Sequence, residues 1–222
     1  MESQSRTAIL GKLKSAPRGK AAVRPTMPPL NELALDQEQM IAKFTEELVA
    51  QTGVVHRVAD APAALAKLAE IAGEEDLKRM LASTDDVLAP LNLKQWGTDN
   101  QVEILTAADF NEFNDFKDAV FSVDAGITGA DFAVAETGTV GLIFNQDQPR
   151  LNSIAPPLHI VIIPTDRFCH IYEEAISKVF DNPQEIPSQF AFVTGPSMTA
   201  DIQATPFKGM HGPRRLMAIV IG

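Results

Sequence analysis

The 222 residues are 45% hydrophobic and 22% charged, with a formal net charge of −10. That is long and apolar enough for one domain with a full core, and too apolar for global disorder. Residues 1–24 carry six basic side chains against Glu2, while the other 198 carry 28 acidic against 13 basic. A cationic arm therefore precedes an acidic body, and the body argues against general nucleic-acid binding. One cysteine, Cys169, excludes a disulfide scaffold, a cysteine-only zinc site and an iron–sulfur cluster held by this chain alone. No apolar run reaches the ~18–20 residues of a membrane span or forms a signal-peptide core, so a soluble cytoplasmic protein is expected.

Residues 1–15 read as a short helix with Ile9, Leu10 and Leu13 on one side. Ser15 to Pro29 is rich in proline, glycine and basic residues and reads as a linker, so residues 1–30 form an arm and 31–222 a single α/β domain. Asp36 is the expected N-cap of a helix carrying Met40, Ile41, Phe44, Leu48 and Val49, closed by Gly53. Val54–Val58 follows as a strand. Asp60 and Pro62 open a second helix with Leu65, Leu68 and Ile71 on its apolar face. Leu77–Ala82 and Val102–Leu105 are expected strands around a loop holding Pro90 and Trp96. A helix over Ala107–Asp118 would bury Phe110, Phe113 and Phe116.

Further on, Phe132–Ala135 and Val140–Phe144 flank the turn Glu136-Thr137-Gly138-Thr139, and His159–Ile163 reads as a strand buried on both faces. Residues Thr165–Phe180 match a helix at every turn, from Phe168 and Ile171 to Val179 and Phe180. Phe190–Val193 and Leu216–Ile221 complete the strands. Alternating β and α segments define an α/β protein with a mostly parallel sheet.

No phosphate-binding loop, dinucleotide fingerprint, zinc-protease helix or nucleophile elbow is present, and the four histidines lack metal-ligand spacing. Three polar segments border predicted buried strands, where open α/β sheets bind ligands. In the first, Glu136 is a nucleophile, a general base or a glutamate that satisfies turn amides, and Gly138 leaves room for an approaching group. In the second, Thr194, Ser197, Thr199 and Asp201 form an anion site or an ordinary helix cap. In the third, His211 offers a donor or proton and Arg214 an anion partner, or both belong to a solvated turn.

Together the segments Ile127-Thr-Gly-Ala-Asp-Phe-Ala-Val-Ala-Glu-Thr-Gly-Thr139, Pro156-Pro-Leu-His-Ile160, Thr194-Gly-Pro-Ser197 with Thr199-Ala-Asp201, and His211-Gly-Pro-Arg214 resemble the LUD domain of lactate-utilisation protein C. The resemblance implies a three-layer α/β/α sandwich like that of class I CoA transferases and ribose-5-phosphate isomerase. It implies a role in oxidising L-lactate to pyruvate beside iron–sulfur partner proteins, with no cofactor or metal on this chain. The alternative it carries is CoA-transferase-like acyl chemistry, with CoA as cofactor and Glu136 as the strand-end nucleophile. Its motifs name Glu136 and His211 as catalytic candidates. They name Gly129, Asp131, Thr137, Gly138, Thr139, His159, Thr194, Gly195, Ser197, Thr199, Asp201, Gly212 and Arg214 as candidates for binding a small carboxylate or acyl ligand. Met198 stands where many relatives carry a basic residue.

Overall fold

Six strands from distant parts of the chain form one all-parallel sheet. They are β1 (Val54–Val58), β2 (Arg79–Ala82), β3 (Glu103–Leu105), β4 (Ala125–Gly129), β7 (Leu158–Pro164) and β12 (Arg215–Ile221), in the order β1-β12-β7-β4-β2-β3. The structure, a computed structural model, describes residues 4–16, 33–180, 186–199 and 207–222. The inner strands are continuous apolar runs because both of their faces are covered.

Helices α3 (Ala61–Glu74) and α4 (Leu93–Asn100) cover one face, packing Leu68, Ile71 and Trp96 on Met80, Ile127, Ile160 and Ile219. The other face has two parts. At one end α2 (Gln37–Ala50) and a small second sheet pack Phe44, Leu48, Val140 and Leu142 on Val161, Ile163, Ala218 and Val220. At the other, α5 (Phe113–Val120) and α6 (Leu151–Ile154) lie over Leu81. The second sheet consists of β5 (Phe132–Val134), β6 (Thr139–Ile143), β8 (Phe168–Cys169) and β9 (Phe190–Val193), in the order β8-β5-β6-β9 with β6 antiparallel to both neighbours. Strands expected in one sheet thus divide between two, and one outer layer of the sandwich is part helix, part sheet.

Local chemistry explains the boundaries. The Asp36 carboxylate accepts the Gln39 amide N–H at 2.9 Å and the Gln39 side chain accepts the Asp36 N–H, a reciprocal cap that starts α2. The left-handed residue after α2 is Thr52 rather than Gly53; Gly53 instead lies against Leu48, whose Cγ would stand 2.7 Å from an added Cβ. Trp96 is on a helix, not in a loop, and its indole N–H donates to the Leu65 carbonyl at 3.1 Å. The helix expected over 107–118 is broken at Phe110 and restarts at Phe113, which leaves Phe113 68% exposed and only Phe116 of the three fully in the core.

The largest departure is at 165–180. Residues Thr165–Arg167 form a 3-10 turn, Phe168–Cys169 pair with β5, and only Tyr172–Phe180 is helical (α7). Pairing with β5 buries Phe168 edge-on against Phe44, at 5.3 Å between ring centres, and that tertiary gain outweighs the local helical pattern. Cys169 and His170 therefore precede the helix.

By contacts the chain divides into two units, 1–31 and 32–222. In the first, α1 (Gln4–Ser15) leaves Ile9, Leu10 and Leu13 exposed by 59%, 42% and 67%. The expected linker lies mostly outside the described residues. Because α1 buries so little apolar surface, removing residues 1–31 should shift the melting temperature of the second unit by no more than a few degrees. Calorimetry on the truncated chain checks this, and a large drop in melting temperature contradicts it.

Candidate functional site

Gly126, on β4, has no side chain because α6 crosses there: a Cβ would lie 1.8 Å from the Asn152 carbonyl oxygen. This close approach seats α6 on the sheet and turns Ser153 and Ile154 toward a cavity of about 300 Å³. His159, second residue of β7 and in register with both Gly126 and Leu216, borders the same cavity. Its other walls come from Phe192 to Ser197, leading off β9, and from His211 to Pro213, leading into β12. The two loops are tied together: the Ser197 N–H donates to the Pro213 carbonyl at 2.8 Å and the Gly209 N–H to the Ser197 carbonyl at 2.9 Å.

The cavity thus stands where β9 ends and where β7 and β12 begin. Sequence reasoning placed ligands beyond the carboxyl ends of the parallel strands; the largest convergence of candidates lies at the amino ends of β7 and β12 instead. His159, Thr194, Gly195, Ser197, His211 and Gly212 come together there.

His159 is fully buried. Its Nε2 lies 2.9 Å from the Thr128 hydroxyl, and its Nδ1 has no partner among the described residues. Burial drives its pKa down to about 4, so the ring is neutral at physiological pH, with one nitrogen a donor and the other an acceptor. Both side-chain heteroatoms of the fully buried Asn152, next to Ser153, are likewise unpartnered. Each such group costs about 1–3 kcal/mol if nothing satisfies it.

Thr194 carries a second polar link. Its hydroxyl is 2.6 Å from that of the buried Thr139, which is 2.7 Å from that of Thr137, so three hydroxyls connect the 135–138 turn to the cavity wall. That turn packs beneath the last turn of α2. Gly138, at φ +61°, has no room for a Cβ, which would lie 2.3 Å from the Leu48 amide nitrogen. Glu136 itself is half-buried, its N–H donating to the His170 carbonyl at 3.0 Å, and it is not among the residues lining the cavity. Glu136 thus stands apart from the cavity that Thr194, Ser197 and His211 line: the turn containing it folds back on α2 and on the segment after β8.

Other candidates lie elsewhere. Gly129 and Asp131 stand at the opposite, carboxyl edge of the parallel sheet. There the Gly129 N–H donates to Asp85 at 3.0 Å, and Asp131 accepts the Ile143 N–H at 2.6 Å and the Gln148 amide at 2.9 Å. Burial raises the pKa of both carboxyls, and Asp85 adds to the effect at Asp131. Asp85, which also accepts the Val87 and Leu88 amides, shapes the turn after β2. Sequence reasoning missed it, although a carboxylate three residues beyond a buried strand is the same signal that picked out Glu136. Arg214 is exposed, donates its backbone N–H to Pro157 at 2.8 Å, and lies against Gly209 outside the cavity. Thr199 is in β10 (Met198–Thr199), paired with β11 (Phe207–Lys208). Asp201 lies outside the described residues. Among those residues no group of three or more His, Cys, Asp or Glu comes together as a metal site, and no helix is long and apolar enough to cross a membrane.

Fold and cavity together define an α/β protein with a parallel central sheet and a small hydrogen-bonding cavity at its amino edge. The chain belongs to the LUD domain family, which it matches over residues 41–221. It is 35% identical over 113 residues to an uncharacterized protein of Neisseria meningitidis serogroup B, covering 50% of this chain and 48% of that one. It is 38% identical over 101 residues to Lactate utilization protein C of Oceanobacillus iheyensis (44% and 43% of the two chains) and 36% over 100 residues to that of Deinococcus radiodurans (45% and 47%). The matched segment thus spans a little under half of each relative. A crystal structure of a DUF162 family protein from Deinococcus radiodurans has the same fold, with a TM-score of 0.64 at 22% identity, covering 85% of this chain and 99% of that one.

Proposed function

We propose that this chain is a cytoplasmic lactate-utilisation subunit that acts in the oxidation of L-lactate to pyruvate and uses the cavity to bind a small ligand. The observation that carries this reading is the similarity to proteins named Lactate utilization protein C, at 36–38% identity. Oxidising a secondary alcohol to a ketone removes electrons as well as protons. A chain with one cysteine has no set of thiolates for an iron–sulfur cluster of its own, and in this reading the electrons pass to iron–sulfur partner proteins.

Deleting the gene in its source organism should abolish growth on L-lactate and leave growth on glucose unchanged, and iron–sulfur proteins should co-purify with the tagged chain. Normal growth of the deletion strain on L-lactate overturns the reading.

A second reading, acyl transfer through Glu136 with CoA, is favoured by one observation, the threonine chain joining the Glu136 turn to the cavity. A carboxylate nucleophile forms an acyl intermediate that hydroxylamine captures as a hydroxamate on Glu136. Mass spectrometry of the chain incubated with acyl-CoA and hydroxylamine tests this: a modified Glu136 supports it, and an unmodified one excludes it.

A further inference from the structure

Among the described residues, no titratable side chain apart from the histidines lines the cavity, although the chain as a whole carries −10. Its polar lining is Ser153, whose hydroxyl donates to the Arg150 carbonyl at 3.0 Å, together with Thr194, Ser197, His211 and the His159 ring. Ile154, Phe192 and Leu216 supply apolar wall. His159 is fully buried, with Nε2 2.9 Å from the Thr128 hydroxyl and Nδ1 without a partner among the described residues. A neutral imidazole facing an anion must present its N–H. That requires the Thr128 hydroxyl to donate to Nε2, and the 2.9 Å contact permits it.

We propose that the inner end of the cavity is a seat for a small monocarboxylate, in which His159 Nδ1–H donates to a carboxylate oxygen while Thr128 holds the ring in that tautomer from behind. The seat deepens the ligand-binding reading above and rests on it. The Thr194 hydroxyl, fed by Thr139 and Thr137, can donate into the same space, and the apolar wall receives a short carbon chain.

The test is long-range ¹H–¹⁵N NMR on the full chain labelled in histidine, titrated at pH 7.5 with L-lactate, pyruvate or neutral lactamide. Both acids should move the His159 Nδ1–H resonance downfield, as a stronger hydrogen bond to a carboxylate requires, lactamide should move it much less, and Thr128→Val should weaken lactate binding at least about tenfold, or 1.4 kcal/mol. His159 resonances unmoved by either acid overturn the proposal, even if growth on L-lactate still depends on the chain. A lactamide response equal to that of lactate overturns the carboxylate assignment. A shift with the acids in a protein whose deletion leaves lactate growth intact supports the seat and overturns the lactate-utilisation reading instead.

Discussion

Gly126→Ala should lower stability by about 3 kcal/mol or more and leave little folded protein at 37 °C. The added methyl carbon would stand 1.8 Å from the Asn152 carbonyl oxygen and 3.2 Å from Pro156 Cγ, and the first of these is backbone that no rotamer change can move. Overpacking that ordinary side chains absorb costs about 1–3 kcal/mol. Here relief requires α6 to lift off the sheet, which also exposes the buried Asn152 and pulls Ser153 and Ile154 from the cavity wall. Chemical denaturation of wild type and variant measures the loss. A variant within 1 kcal/mol of wild type would show that α6 is not seated on Gly126.

The second large effect is on acid stability. In the unfolded chain His159 titrates near 6.5, whereas burial holds it at about 4 in the fold. Above pH 6.5 the ring is neutral in both states and its contribution is complete. Between 6.5 and 4 only the unfolded state takes up the proton, so unfolding is favoured by about 1.4 kcal/mol per pH unit, or roughly 3 kcal/mol in all. His56, Asp85 and Asp131 also have shifted pKa values, but they are common to wild type and a His159→Gln variant. The difference between the two stability–pH curves therefore isolates His159. The wild type should lose about 3 kcal/mol more than the variant over this window, and parallel curves would show that His159 is solvated.

Elements whose signals are local were legible in the sequence. Asp36 with Gln39, and Asp60 with Pro62, mark helix starts that need only nearby atoms. The β-branched run of β7 reads correctly because burial on both faces leaves no polar positions to confuse it. Residues 165–171 were illegible for the opposite reason: Phe168 and Ile171 are buried at helical spacing, but Phe168 lies in a strand paired with residues more than 30 positions earlier. Trp96 was missed because α4 has no side-chain N-cap, and a left-handed Asn92 leads into it.

The candidate site divides along the same line. Thr194, Ser197 and His211 stood out by residue type at strand boundaries, and the fold brings them together. Asn152 gave no signal, because nothing in Leu151–Ile154 says that Gly126 draws that helix down onto the sheet. Gly129 and Asp131 share a motif with Glu136 in sequence, but β4 carries them to the far edge of the sheet, where they serve the turns around Asp85 and Gln148.

On the proposed function, the chain serves lactate oxidation through the cavity rather than through Glu136. Complementation of a deletion strain on L-lactate, at matched levels of folded protein, tests it with two variants. Ser197→Leu, which fills the cavity, should slow lactate-dependent growth at least about tenfold, while Glu136→Gln, outside the cavity, should grow like wild type. Normal growth with Ser197→Leu and failure with Glu136→Gln would contradict the account and move the function to the 135–138 turn.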